Sequence, residues 1–366
     1  MTTIADIHQR FLRALERWHR GGAQSAWDEM LATALSGHSA AARVLLAFAL
    51  REDHDAPSGT GASVLLEQLL TSASAAPQAL VLAAELQRFH PRCALPAALP
   101  ARWSEALAEA VVQGSEQARH LVLLYGAWAG RAPPEASSPA MLAAWLEQAQ
   151  EQWRSPAPEQ LADRDGVQVT LVRRFAPTMA LRQVLETLGE RLAPSLVVDP
   201  RTGQRIAHPV RSATQAQWLP ELLGWGGKLL EERLAVAGAY SRACGEVANL
   251  LCYDPGQAYQ PHLDCLPPEA SESAQGVSQG GQRLLTQLLG VVRADDGGAT
   301  RFRELELSVV LGPGDLLAFT NATASGAPLV ASRHSGEPVL KGRKWLLSKW
   351  VRQSKTPYGR ELEHCL

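Results

Sequence analysis

Two side chains that can bind a metal lie two residues apart in the segment Tyr253–Asp264, namely His262 and Asp264. Alternate side chains of an extended strand lie on the same face, so this spacing predicts that the imidazole and the carboxylate point to a common centre. A divalent transition metal accepts both kinds of ligand. The spacing by itself is a weak signal, because a solvated loop or a hydrogen-bonded core pair gives the same pattern, and a metal centre needs a third ligand.

The C-terminal half holds three more histidines that could complete such a centre: His208, His334 and His364. His334 follows Asp264 by 70 residues and directly precedes a strand-like run. Two histidines and one carboxylate form the ligand set that leaves three open positions on ferrous iron for a chelating co-substrate and dioxygen. His334 is therefore a candidate for the third ligand, and spacing alone leaves His208, which sits in a turn before a proline, open as another.

A lysine ten residues after His334 indicates what the co-substrate could be. The run Lys344–Trp350 is typical of a strand, and its alternation would place the Lys344 ammonium on the inner face, one strand away from the metal. A buried, unpaired ammonium is costly and needs an anion. The second carboxylate of a dicarboxylate bound to the iron would supply that anion.

Several motifs of the C-terminal half fall in an order that is known from one enzyme family. They are Val198–Gly203, Arg211–Ser212, Tyr253–Asp264, Gln282–Thr286, Gly297–Phe302, Gly312–Phe319, His334–Val339 and Lys344–Trp350. Over residues 167–353, roughly half of the chain, the sequence resembles the prolyl 4-hydroxylase branch of the iron(II)- and 2-oxoglutarate-dependent dioxygenases. Its Gly-Gly-Ala-Thr motif and the Arg-His before Pro-Val look most like the collagen-type enzymes.

The resemblance implies a role for several residues, carried over position by position. It makes His262, Asp264 and His334 the iron ligands and Lys344 the partner of the distal carboxylate of 2-oxoglutarate. Its remaining assignments are Tyr253 and Thr286 beside the co-substrate, Tyr259 and Trp350 near the substrate in the channel, and Arg283 and Arg333 as framework salt-bridge partners. For Tyr253, Thr286 and Trp350, ordinary packing within the barrel is an open alternative.

One position and one loop of the C-terminal half lead to further expectations. The family usually carries an aromatic residue, often tyrosine, four positions after Thr286, where this chain has Gly290. We therefore expect a wider pocket at Gly290 and the loss of one hydroxyl contact to 2-oxoglutarate. The segment 265–281 is long and rich in small and polar residues, which predicts either a mobile lid over bound substrate or a connector without function.

The composition changes along the chain and divides it into domains. Residues 1–155 are rich in Ala, Leu, Gln and Glu and predict stacked helices, whereas short Val/Leu/Thr runs cut by Gly and Pro predict strands further on. We expect an α+β multidomain protein with an α-helical repeat domain at 1–155, a dioxygenase domain at 163–353 and a tail at 354–366. The resemblance implies that the second domain is a double-stranded β-helix, a jelly-roll barrel with flanking helices.

A weak internal repeat runs through the helical part, in which an apolar helix, a turn of small residues and a second helix recur. Aligning Ala42, Ala79 and Ala118 gives periods of 37 and 39 residues. Such periods are typical of tetratricopeptide or Sel1-like solenoids. The alternative is an irregular helical bundle with chance self-similarity, because the sequence is rich in alanine. The segments that carry the repeat are 31–49, 69–86 and 107–127.

Charge and cysteine usage argue against several classes of function. A formal net charge of -2 gives no overall field that would hold nucleic acid or an anionic membrane, so neither is an expected partner. Five cysteines at irregular spacings without a CxxC pair indicate free thiols in a reducing compartment. The N-terminus lacks the core of a signal peptide and no apolar run could span a bilayer, so we expect a cytoplasmic location.

Three hypotheses for function are open at this point. The first is an iron(II)- and 2-oxoglutarate-dependent hydroxylase of prolyl residues in a peptide or protein, whose helical repeats grip the substrate; ascorbate could keep its iron reduced. The second is a hydroxylase of a free amino acid or a peptide natural product, with the helices as a lid or a homodimer interface. The third is a non-catalytic repeat scaffold, against which the intact ligand set and Lys344 argue. Asp264 fills the position that related halogenases leave open for chloride, so the resemblance implies hydroxylation.

Overall fold

The computed structural model describes most of the chain, and the described residues form two compact units. They are residues 4–19, 23–50, 61–90, 95–135, 138–198, 205–207, 212–272 and 274–362. The first unit ends at Trp153 and the second spans Arg154–Leu362, so the second unit also contains the start of the segment expected to be a tail. Among the described helices, none is long and apolar enough to cross a membrane.

Helices joined by turns make up the described part of the first unit. They are α1 (Ile4–His19), α2 (Ala23–Leu35), α3 (Ser39–Leu50), α4 (Ala62–Leu70), α5 (Ala76–Phe89), α6 (Trp103–Val112), α7 (Glu116–Ala129) and α8 (Pro139–Gln152). Each segment of the predicted repeat spans the end of one helix, a turn and the following helix, and its aligned alanine is buried. The regular stacking of these pairs into a solenoid stays a prediction.

Local sequence signals set the bounds of these helices. The hydroxyl of Ser115 accepts a hydrogen bond from the backbone N–H of Ala118 at the start of α7, and the helix ends at Gly130, whose backbone is left-handed (φ 65°). Ser138 caps α8 in the same way, and Pro139 occupies its first turn. The ends of these helices therefore follow from short-range chemistry.

The second unit is built around antiparallel sheets. Its strands are β1 (Glu159–Arg164), β2 (Val167–Val172), β3 (Ala193–Pro194), β4 (Leu196–Val198), β5 (Arg205–Ala207), β6 (Thr214–Trp218), β7 (Ala248–Tyr253), β8 (Tyr259–His262), β9 (Arg283–Val292), β10 (Asp296–Gly297), β11 (Thr300–Phe302), β12 (Leu307–Val309), β13 (Leu316–Thr320), β14 (His334–Gly336), β15 (Val339–Lys341) and β16 (Lys344–Arg352). Its helices are α9 (Thr178–Leu188), α10 (Pro220–Ala237), α11 (Pro268–Ser271), α12 (Ala274–Ser278) and α13 (Pro357–Glu361). An eight-stranded sheet has the order β1-β2-β13-β9-β16-β7-β6-β3, and a four-stranded sheet has the order β12-β11-β14-β8.

An apolar core joins the eight-stranded sheet to the four-stranded one. Leu251 and Leu288 of the large sheet are buried in one cluster with Phe302 of the small sheet. The ring of Phe302 meets that of Phe319, from the large sheet, edge-on, with ring centroids 5.0 Å apart. Burial of these side chains holds the two sheets face to face, and polar groups that lie between the sheets are therefore shielded from water.

The structure describes a loop for which the sequence left two alternatives open. The segment 265–281, expected to be a lid or a connector, forms the short helices α11 and α12. The side-chain amide of Gln282 holds its start, because it accepts from the backbone N–H of Leu266 and donates to the carbonyl oxygen of the same residue. The motif Val198–Gly203 lies largely outside the described residues, between the paired strands β4 and β5.

Helix α10 is tied to the large sheet by a buried ion pair. Nζ of Lys349, on β16, lies 2.6 Å from a carboxylate oxygen of Glu231 on α10, and the two side chains are only 1% and 2% exposed. The hydroxyl of Tyr358, on α13, donates to the same carboxylate at 3.1 Å. Helix α10 is broken at Gly224, where φ is 53° and ψ is -169°.

We expect the substitution Lys349→Met to lower the free energy of unfolding by about 3–5 kcal/mol, because it leaves the carboxylate of Glu231 buried without a counter-charge. Urea unfolding followed by fluorescence measures this loss. The double variant Lys349→Met with Glu231→Leu removes both charges and should recover much of the stability. A double variant as unstable as the single one would show that the ion pair does not hold α10 to the sheet.

Candidate metal centre

Three potential ligands meet at the ends of two neighbouring strands. His262 is the last residue of β8 and His334 is the first of β14, and the antiparallel register places them opposite each other. In the bend after β8, Asp264 places Oδ1 3.5 Å from Nε2 of His262 and Oδ2 3.7 Å from Nε2 of His334. The ligand atoms of the three residues lie within 4.8 Å of one another. The other candidate histidines, His208 and His364, lie outside the described residues.

The bend after β8 corrects the strand argument for this pair. We expected His262 and Asp264 to share a face because both would belong to one strand, but β8 ends at His262. The chain turns there, so the two side chains converge because of the bend. Period-two alternation predicted the right neighbours for the wrong reason.

Backbone carbonyl groups orient both imidazoles. Nδ1 of His262 is 2.8 Å from the carbonyl oxygen of Gln260, and Nδ1 of His334 is 3.1 Å from that of Ser332. A carbonyl oxygen only accepts, so Nδ1 of each ring carries a proton, and in the neutral form of the ring the lone pair is on Nε2, which faces the centre. Each ring is thus held in the tautomer that a metal ligand needs.

Electrostatics keep Asp264 and His334 in protonation states that bind a metal. Burial raises the pKa of the Asp264 carboxyl, but the rings of His334 and His262 and the hydroxyl of Thr286 outweigh burial and hold this pKa well below its ordinary value. Burial lowers the pKa of His334 to about 4, although the carboxylate of Asp264 opposes the shift. At neutral pH the site offers a carboxylate and a neutral His334 ring, and this buried donor set fits a divalent transition metal.

A pocket extends from the three ligands to Lys344. The Lys344 side chain is buried, its Nζ lies 5.7 Å from the ring centroid of Tyr253, and it forms no ion pair with any residue that the structure describes. Burial lowers its pKa from the ordinary 10.5 to about 8, against the pull of the Glu337 carboxylate. The pocket is lined by Leu251, Tyr253, Tyr259, His262, Asp264, Leu288, Thr300, His334, Gly336, Lys344, Leu346, Ser348 and Trp350.

The side chains expected near the co-substrate or the substrate have different surroundings. Tyr259 lines the pocket and stacks on the ring of His262, with centroids 3.6 Å apart. Trp350 also lines the pocket. Thr286 is fully buried and its hydroxyl donates to Oδ2 of Asp264 at 2.7 Å. The structure therefore places Thr286 behind a ligand, and it is not among the residues that line the pocket.

The two arginines expected as framework partners differ in their contacts. Arg283 pairs with Glu246 at 2.6 Å, and Arg352 pairs with the same carboxylate. Arg333 is exposed and forms no ion pair in the described part of the chain, and Arg211, from an early motif, lies outside that part. Sequence reasoning missed Glu246, because no local pattern signals that arginines from two other strands meet there.

At Gly290 the structure overturns the expectation of a wider pocket. A Cβ added at Gly290 would collide with the backbone of Gly312 and lie 3.1 Å from Cβ of Leu311. The backbone N–H of Gly290 also donates to the carbonyl oxygen of Asp315 at 2.9 Å. The turn before β13 thus closes on the glycine, and the space that a side chain would take is filled by the chain itself.

Comparisons with known proteins concern the same part of the chain. Residues 248–352 match the family model of the 2OG-Fe(II) oxygenase superfamily. The chain is 28% identical over 202 residues to prolyl 4-hydroxylase subunit alpha-1 of Caenorhabditis elegans, covering 52% of this chain and 35% of that protein. It is 29% identical over 184 residues to prolyl 4-hydroxylase 1 of Arabidopsis thaliana, covering 45% of this chain and 62% of that protein. The chain thus spans less than two thirds of the length of either relative.

A solved structure overlaps with about half of the chain. The viral collagen prolyl hydroxylase of Paramecium Bursaria Chlorella virus-1, solved as a 2OG complex, is 18% identical with a TM-score of 0.38, covering 50% of this chain and 94% of that one. The region that matches the family model contains His262, Asp264, His334 and Lys344. The C-terminal unit therefore contains a domain of the 2OG-Fe(II) oxygenase superfamily, similar to that of prolyl 4-hydroxylases.

Proposed function

We propose that the chain is an iron(II)- and 2-oxoglutarate-dependent dioxygenase that hydroxylates an unactivated C–H bond of a prolyl residue in a peptide or protein, with release of succinate and CO2. The observation that carries this proposal is the cluster of His262, Asp264 and His334 beside a pocket that contains the buried ammonium of Lys344, which forms no ion pair with any described residue. The two facing sheets support a double-stranded β-helix around that pocket. The prolyl 4-hydroxylases among the relatives support the choice of target.

Different polar groups of the pocket would bind the metal and the co-substrate. The three ligands would hold ferrous iron and leave three of its positions open. With 2-oxoglutarate and dioxygen bound, the iron would supply the oxidising power for hydroxylation. Lys344 would bind the distal carboxylate of 2-oxoglutarate, which gives its buried ammonium the counter-charge that it lacks. Leu251, Leu288 and Leu346 would exclude water from the space between.

Aromatic surface in the pocket suits a prolyl residue. Tyr259 stacks on the ring of His262, and the guanidinium of Arg283 lies 3.8 Å from the ring centroid of Trp350. Both aromatic side chains are thereby held in place beside the ligands. Aromatic grooves are a common binding mode for proline-rich segments.

The helical unit favours a second candidate substrate. Its described Trp and Tyr side chains are buried or half-buried, so they form no exposed aromatic row for a proline-rich peptide. Instead, a groove of mixed polar and apolar lining lies between α3, α5 and α7, and its polar side chains include Arg43, Gln78 and Gln117. The lack of an exposed aromatic row among the described residues favours a free amino acid or a peptide natural product as substrate. A panel of peptides and amino acids, scored by succinate release and a one-oxygen mass gain, separates the two candidates.

Substitution of any one ligand should abolish activity. We expect His262→Ala, Asp264→Ala and His334→Ala each to reduce iron-dependent succinate formation to background, because two remaining ligands cannot orient the metal and its co-substrate. His120 on α7 is exposed, and the control variant His120→Ala should keep full activity. Near-normal turnover after the loss of His334 would contradict the ligand set.

The ammonium of Lys344 should serve co-substrate binding at the expense of stability. We expect Lys344→Met to raise the 2-oxoglutarate requirement about 10- to 100-fold, which corresponds to the roughly 1.5–3 kcal/mol of a charge-assisted hydrogen bond. Without co-substrate the same variant should be more stable than the wild type, because it buries no charge. Titration of succinate formation with 2-oxoglutarate and thermal unfolding measure the two effects.

The pH dependence of stability tests this prediction further, and a nearby lysine provides its control. The pKa of Lys344 is about 8 in the folded protein and 10.5 ordinarily, so between these values the unfolded chain binds more protons and wild-type stability rises with pH. The stability advantage of Lys344→Met should therefore be full below pH 8 and shrink towards pH 10.5. The exposed Lys341 gives the matched control Lys341→Met. If Lys341→Met raised the 2-oxoglutarate requirement and Lys344→Met did not, the assignment to Lys344 would be wrong.

Removal of the helical unit should uncouple succinate formation from hydroxylation. A chain that begins at Arg154 keeps β1 whole, whereas a start at Asp163 would cut this strand of the large sheet. If the helical unit positions the substrate, the ratio of hydroxylated product to succinate should fall about tenfold or more in the shortened chain. Iron and 2-oxoglutarate binding should persist. An unchanged ratio would favour the small-molecule substrate and leave the helices a role in assembly.

A further inference from the structure

A chain of buried hydrogen bonds stands behind the carboxylate of Asp264. The hydroxyl of Thr286 donates to Oδ2 of Asp264 at 2.7 Å, and Nδ2 of Asn321 lies 2.8 Å from the hydroxyl oxygen of Thr286. Thr286 and Asn321 are both 0% exposed, so no water competes for these bonds. The sequence gives no signal for Asn321, which follows β13 and belongs to none of the predicted motifs.

The direction of these bonds is set by the chemistry of the donors. An amide nitrogen can only donate, so the hydroxyl oxygen of Thr286 accepts from Asn321 and its single proton goes to Asp264. Oδ2 of Asp264 is therefore already engaged by a donor. The other oxygen, Oδ1, lies on the side of His262, 3.5 Å from Nε2. The carboxylate is held so that one of its oxygens is free for a metal.

Packing alone does not account for an asparagine at this place. Oδ1 of Asn321 is buried and has no hydrogen-bond partner among the described residues. A buried acceptor without a partner destabilises the fold, and an apolar side chain of similar size would avoid this. The donor end of the amide, which contacts Thr286, is the part that the site uses.

The backbone of Asn321 connects these hydrogen bonds to the second histidine ligand, His334. Its carbonyl oxygen accepts from the N–H of Leu329 at 2.9 Å, and the carbonyl oxygen of Leu329 accepts from the hydroxyl of Ser332 at 2.7 Å. The carbonyl oxygen of Ser332 in turn accepts from Nδ1 of His334. These hydrogen bonds, joined through the covalent structure of Asn321, Leu329 and Ser332, thus link the carboxylate ligand to an imidazole ligand.

We propose that Thr286 and Asn321 are positioning residues that fix Asp264 as a one-oxygen ligand and set its place relative to His334. This inference rests on the proposed function, because it assumes that the three ligands bind a divalent metal. Partners of metal ligands raise affinity by holding the ligand in one orientation before the metal arrives. Without the Thr286 hydroxyl, Asp264 is free to rotate and to offer both oxygens.

Cobalt(II) is the probe for the test, because its absorption spectrum reports on coordination and its binding needs no turnover. We expect Thr286→Val, which keeps the shape and removes the hydroxyl, to weaken Co²⁺ binding about 10- to 100-fold and to change the spectrum. Thr286→Ser, which keeps the hydroxyl, should restore affinity and spectrum. Asn321→Leu should weaken binding less but measurably, by about 3- to 10-fold, because the hydroxyl remains but loses its orientation.

A neighbouring threonine supplies the matched control. The hydroxyl of Thr320 accepts from the N–H of Gln168 and lies away from the ligands, so Thr320→Val should bind Co²⁺ like the wild type. Wild-type affinity and spectrum in Thr286→Val would overturn the inference while the metal site stands. If Thr286→Val does not fold, the Asn321→Leu variant decides in the same way. A wild-type chain that binds no Co²⁺, or a His262→Ala variant that binds it equally well, would overturn both the inference and the proposed function.

Discussion

The antiparallel pairing of β14 with β8 is the constraint on which the metal centre depends. It places His334 opposite His262, and the fixed spacing between paired strands brings their ring centroids to 4.3 Å. The apolar core that joins the two sheets also packs against His334, because the ring centroids of Phe302 and Phe319 lie 5.5 Å and 4.7 Å from that of His334. The residues that hold the sheets together therefore also hold a ligand in place.

Strand β16 carries two buried lysines that differ in their partners. Lys349 forms an ion pair with Glu231 and ties a helix to the outer face of the sheet. Lys344 faces the pocket on the other side and has no ion-pair partner in the described residues. A buried cation that is already paired contributes to structure, whereas an unpaired one lowers stability and is ready for a ligand. The same residue type thus has opposite consequences five positions apart.

In the proposed complex the charges of the pocket cancel. Asp264 contributes a negative charge and Lys344 a positive one, and a divalent metal with a dicarboxylate adds two charges of each sign. Without those ligands the two protein charges remain at separate places in a buried pocket, and Lys344 is poorly solvated and forms no ion pair with any described residue. Binding of metal and co-substrate would therefore stabilise the C-terminal unit, by an amount that rises with the logarithm of their concentrations above the dissociation constants.

The sequence by itself determined the features that depend on near neighbours. The ligand types, the alternation along β16 and the helix–turn–helix segments follow from side-chain chemistry and from periods of two and about 3.6 residues. Only the tertiary structure decided the bend at Asp264, the closure of the chain on Gly290 and the contact of Asn321 with Thr286, 35 residues apart. Such contacts depend on strand order and on how two sheets pack, and no local pattern encodes which distant residues will face each other.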